Sequence, residues 1–235
     1  MLNETVPAPG WGVVGLTALF AFAVSLTSFT TPPSGRPSLL RKANVLATLF
    51  HEGGHAAVSL LTGGNVSRVA ITSARGGTTY QTADSALGDV LATAAGYAVP
   101  PLAGLGAAAL LHRGHVAAVL VLTLAALVFI LLFTRDLLTF AVLVVVGAVV
   151  YCAFRYAPGW LRTAVAYTEA WLLLTCEIDG VRMLIVARMQ DGFRNRTDDA
   201  AVLARSSKLP SPLWIGGWFL LNGWALWHAA PLLFH

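Results

Sequence analysis

The stretch Ala43-Asn44-Val45-Leu46-Ala47-Thr48-Leu49-Phe50-His51-Glu52-Gly53-Gly54-His55-Ala56-Ala57-Val58-Ser59-Leu60-Leu61 decides how the chain is read. Two histidines four residues apart on a helix differ by about 40° in direction, so both imidazoles reach one ion on one face. Between them stands Glu52, the carboxylate that HExxH sites use as general base toward an activated water. The flanks are apolar, which places this polar cluster in a membrane-like segment. His and Glu in hydrocarbon cost several kcal/mol unless they are paired or ligate something. A hydrogen-bonded cluster without metal is the plain alternative to a metal site. Gly53 and Gly54 each cost about 1 kcal/mol in a helix interior but leave room for another helix or a substrate backbone to come close.

Composition carries the setting outward from this stretch. Of 235 residues, 57% are hydrophobic and 11% charged, with mean hydropathy +0.71; soluble domains carry about 25% charge. The chain therefore reads as one membrane-embedded domain over 1–235. Its net charge of +4 comes from Arg and Lys in the connections. No basic face with interleaved aromatics is present, which excludes a nucleic-acid partner. Cys152 and Cys176 lack paired spacing and read as packing residues.

The expected fold is all-α and polytopic, with about seven transmembrane helices over 11–29, 43–61, 87–111, 116–133, 137–154, 161–178 and 213–234. The first run has no basic region before it and reads as a retained span rather than a signal peptide. Pro32, Pro33, Gly35 and Pro37 break the chain before the second span. Residues 63–82, β-branched on either side of Ser73-Ala74-Arg75-Gly76-Gly77, predict a β-hairpin. Gly96 and Pro100-Pro101 predict a kinked or broken third span. A polar segment, 180–208, contains a short helix over 200–206. Seven spans put the termini on opposite sides, and the basic residues of the connections favour a cytoplasmic amino terminus. His112, His115, His228 and His235 read as interface residues at span ends.

A catalytic zinc site needs a third protein ligand. Asp179, which ends a span and precedes Gly180, is the first choice. On a continuous helix Glu177 and Asp179 point about 200° apart, so one of them faces the metal, and Glu177 reads as an interfacial carboxylate near Arg182. Glu169, an acid in mid-span, is an alternative ligand or a partner of a ligand histidine. Asp198 and Asp199 fit the start of a helix, where acids cap, and are held in reserve as ligands.

His51-Glu52-Gly53-Gly54-His55, Thr62-Gly63-Gly64 before a hairpin ending in Gly76-Gly77-Thr78, Ala95-Gly96-Tyr97 and Ile178-Asp179-Gly180 together resemble the site-2 protease family of intramembrane zinc metalloproteases. The stretch Thr197-Asp198-Asp199-Ala200-Ala201, then Leu209-Pro210 and Trp214, looks like its small bacterial branch. The resemblance implies zinc on His51 and His55, Glu52 as base, and an Asp-Gly pair as third ligand. Two departures stand out: Thr175-Cys176-Glu177-Ile178 replaces the proline turn before the Asp-Gly, and Ala95-Gly96-Tyr97 replaces Ala-Gly-Pro. The expected activity is hydrolysis of peptide bonds in membrane-spanning substrates, at the cell membrane. Strand addition along the hairpin (Val69, Ile71, Gly76, Gly77) would hold the substrate. The bilayer, a regulatory membrane protein or a second copy of the chain are the further expected partners. A non-catalytic scaffold and a small metal transporter are the rival readings.

Overall fold

The computed structural model describes residues 5–30, 39–192, 194 and 197–234. Its elements in chain order are α1 (Trp11–Thr30), α2 (Leu39–Lys42), α3 (Val45–Leu61), β1 (Asn65–Ser73), β2 (Gly76–Thr82), α4 (Ala86–His112), α5 (Val116–Leu132), α6 (Leu137–Tyr156), α7 (Gly159–Gln190), α8 (Asp199–Ser207) and α9 (Ser211–Leu233). The proline break at 32–37 and His235 fall outside the described residues.

Each of the seven apolar runs forms a helix, and 63–82 contains a two-stranded antiparallel sheet. Among the described residues, only α4 and α6 are long and apolar enough to cross a membrane by length and composition; α1 and α5 are apolar over shorter runs. The first and last described segments lie close together. Trp11 stacks on Phe234 with ring centroids 5.9 Å apart, and Val6 N donates to Gly114 O, in the α4–α5 turn, at 3.0 Å.

The structure bears on two sequence readings of helix continuity: the third span is one helix rather than two, and the sixth runs longer than expected. α4 runs unbroken through Pro100 and Pro101. Pro101 removes the donor that Tyr97 O would meet in the helix, and the buried Asn222 Nδ2 of α9 lies 3.5 Å from that carbonyl. A neighbouring helix thus takes over a freed backbone group, the usual way such prolines are tolerated in apolar helices. α7 does not end near 178 but continues through Gly180 to Gln190. Glu177 and Asp179 are therefore both mid-helix and diverge as helical geometry requires.

α3 ends in a Schellman motif. Gly63 has φ +84, and Gly63 N and Gly64 N donate to Leu60 O and Ser59 O at 3.2 and 2.8 Å; glycine adopts this left-handed conformation without penalty. The chain turns directly into β1. On its outer edge β1 is covered: Val69 N donates to Phe133 O at 3.0 Å and Ile71 N to Thr139 Oγ1 at 2.8 Å. Val69 and Ile71 pack with Leu49, Leu127 and Ile130 in a core shared by α3, α5 and α6. The larger core joins α1, α4, α7 and α9 around Tyr167, Trp171 and Leu174. Cys176 packs there; Cys152 is exposed, and both are free thiols.

Candidate metal centre

Gly54 lets α3 press against α4: a Cβ there would lie 2.9 Å from Val99 Cβ and 3.0 Å from Ala95 O. Gly96 of α4 then faces the two histidines, and a Cβ on it would stand 2.3 Å from His55 Nε2 and 2.7 Å from His51 Nε2. The space in front of the imidazoles exists because residue 96 has no side chain.

Both rings are fixed from behind. His51 Nδ1 lies 2.6 Å from Glu177 Oε1, and His55 Nδ1 lies 2.8 Å from Ala92 O. A carboxylate and a carbonyl accept only, so each Nδ1 carries the proton and each Nε2 presents a lone pair. The two Nε2 atoms are 3.2 Å apart. Asp199 Oδ2 completes the triangle, 3.3 Å from His51 Nε2 and 3.5 Å from His55 Nε2. Burial alone would raise the Asp199 carboxyl; with the imidazoles of His55 and His51 in their cationic form it is held well below the usual carboxylate range.

Among the described residues, His51, His55 and Asp199 form the group of donors that could hold an ion. Three donors about 2.1 Å from one tetrahedral zinc stand about 3.4 Å from each other, close to the three separations found. Converging lone pairs repel unless a cation or protons lie between them, so the donor set fits a zinc ion with three protein ligands.

The sequence candidates divide as follows. Asp179 lies outside the triangle, paired with Arg75 Nη2 and Arg182 Nε, each at 3.3 Å; the carboxylate that converges with the two histidines is that of Asp199. Glu177 is buried and partners His51, a role the sequence suggests for Glu169. Glu169 instead accepts from Thr123 Oγ1 at 2.9 Å inside the core. Asp198 caps α8 through Ala201 N at 2.9 Å and pairs with Arg188 at 2.7 Å. The adjacent acids at 198 and 199 hold two duties, and only the tertiary fold separates them. The usable signal was the Thr197-Asp198-Asp199-Ala200 resemblance.

Glu52 is buried beside the triangle. Thr79 Oγ1 of β2 lies 2.7 Å from its Oε2 and 3.0 Å from its backbone O. Gly77 makes room for it, since a Cβ at 77 would sit 2.6 Å from Glu52 Cγ. These groups line a cleft of about 740 Å³ together with Thr48, Gly76, Tyr97, Met183 and Val202. Gly76 and Gly77 thus border the site, whereas Val69 and Ile71 are core residues, because β1 is the inner strand and β2 the one facing the cleft.

The fold and site define a helical protein with a three-donor metal cradle and a buried carboxylate next to it. The chain belongs to the Peptidase M50B-like family, whose model matches residues 12–229, in agreement with the resemblance to site-2 proteases. No curated protein and no solved structure matches the chain.

Proposed function

We propose that this chain is a multi-pass membrane zinc endopeptidase that hydrolyses peptide bonds of membrane-spanning substrates. The observation that carries the reading is the triangle of His51 Nε2, His55 Nε2 and Asp199 Oδ2, with separations of 3.2, 3.3 and 3.5 Å. These three residues would hold the zinc; when bound, it supplies Lewis acidity and brings the pKa of a water toward about 7. Glu52 takes the proton from the attacking water and returns it to the leaving amine. Thr79 keeps the Glu52 carboxylate in place, and Glu177 and Ala92 O keep the imidazoles in the tautomer that ligation requires.

A helical substrate must unwind before its carbonyl is accessible. The β2 edge at Gly76–Thr79 is the strand onto which an extended segment adds, its glycines allowing backbone approach. With Trp11 against Phe234, the path between these two residues would make an even number of membrane crossings. α1, α4, α5, α6, α7 and α9 supply six, and α3 enters with the site without crossing.

Purified protein in detergent or liposomes, incubated with a panel of membrane-spanning peptides, tests the reading. Cleavage by the wild type, lost in Glu52→Gln with zinc content retained, supports it. Zinc-dependent ion uptake into liposomes without any cleavage would overturn it in favour of transport.

A further inference from the structure

The third donor comes from α8, nine residues long, and not from the long apolar helices. A helix this short has little stability of its own, so its place depends on what anchors it. Its apolar contribution is small: Ala200 and Leu203 pack with Val181, Leu184 and Trp218. Polar contacts hold both ends. At the far end Ser206 Oγ bonds the Asp89 carboxylate of α4, and Trp214 Nε1 donates to Ser207 Oγ at 3.0 Å.

At the near end Arg188 Nη1 donates to Asp198 Oδ1 at 2.7 Å, with both side chains largely buried, 10% and 12% exposed. Arg188 Nη2 donates to Ser211 Oγ at 3.2 Å, so one guanidinium ties the end of α7 to the starts of α8 and α9. A buried ion pair is weak evidence for stability, and its best-attested use is to fix register. Register matters here because Asp199 is the next residue. A one-residue rotation of α8, about 100°, would carry its carboxylate away from the imidazoles.

We propose that Arg188 is a positioning residue for the metal centre: by pairing with Asp198 it fixes the register of α8 and holds Asp199 against His51 and His55. This rests on reading those three residues as the metal donors. The apparent metal affinity is then the intrinsic affinity scaled by the fraction of molecules with α8 in register. A contact with no atom on the ion sets how tightly the ion is held.

Zinc dissociation constants of the full chain in detergent, measured by competition with a chromogenic chelator, test this. Asp198→Asn is the decisive variant, because Asn caps a helix as well as Asp does but lacks the charge that Arg188 needs. Asp198→Asn and Arg188→Gln are expected to weaken zinc about tenfold or more, with weakened visible absorption of the cobalt-loaded protein. Arg188→Lys should recover part of the affinity. Affinity within about threefold of wild type in Asp198→Asn, while Asp199→Asn loses about tenfold or more, would overturn the positioning role and leave the donor set standing. Wild-type affinity in Asp199→Asn would sink the donor set and this proposal together. If Arg188→Gln does not fold, Asp198→Asn decides alone.

Discussion

Alanine at Gly96 is the smallest change that tests the cradle. The added Cβ would lie 2.3 Å from His55 Nε2, 2.5 Å from His55 Cε1 and 2.7 Å from His51 Nε2. Relief to an ordinary contact requires the nitrogens to retreat by about 1 Å, several times the ±0.2 Å within which metal–ligand distances hold. Neither ring can retreat freely, because Glu177 and Ala92 O grip the Nδ1 atoms at 2.6 and 2.8 Å. Displacing a ligand should cost at least the upper end of the 10–100-fold typical for losing a ligand's supporting partner, and so about 2.7 kcal/mol or more. Alanine gains about 1 kcal/mol of helix propensity over glycine, which partly offsets the cost of the same clash in the metal-free protein. The assay is zinc content and chelator competition beside thermal unfolding of metal-free protein. A Gly96→Ala protein that binds zinc like the wild type would refute the cradle.

Two further outcomes are expected. Glu177→Ala leaves the His51 Nδ1–H without its acceptor and should weaken zinc about 10–100-fold; Glu177→Gln, which retains an acceptor oxygen, should weaken it less, both read by chelator competition. Asp136 caps α6 through Thr139 N at 2.9 Å, and that backbone N–H, with Thr139 Oγ1 and Arg68, holds its carboxyl below the ordinary value. A depressed folded pKa stabilises above the unfolded value and is lost as pH falls through the folded one. Asp136→Ala should therefore cost about 1 kcal/mol at neutral pH, and the gap to wild type should narrow below about pH 4, as thermal unfolding at two pH values would reveal.

The elements were legible wherever local chemistry decides them. Apolar runs between charged or glycine- and proline-containing connections became helices, and β-branched residues around Ser73–Gly77 became a hairpin. The histidine pair followed from helical spacing alone. What was not legible depends on long-range packing. Nothing local distinguishes Glu177 from Asp179 on one helix; the choice is made by Arg75 at the hairpin tip, which takes Asp179, and by His51, which takes Glu177. Asp198 and Asp199 are equally suited to capping until α8 is docked. The stacking of Trp11 on Phe234 was hidden too, because it joins opposite ends of the sequence.

The central claim is that Asp199, and not Asp179, completes the metal site. Zinc stoichiometry of Asp199→Asn and Asp179→Asn, purified identically and judged folded by thermal unfolding, tests it most directly. The account predicts that Asp179→Asn retains wild-type zinc and Asp199→Asn loses it. Zinc retained in Asp199→Asn and lost in Asp179→Asn would contradict it.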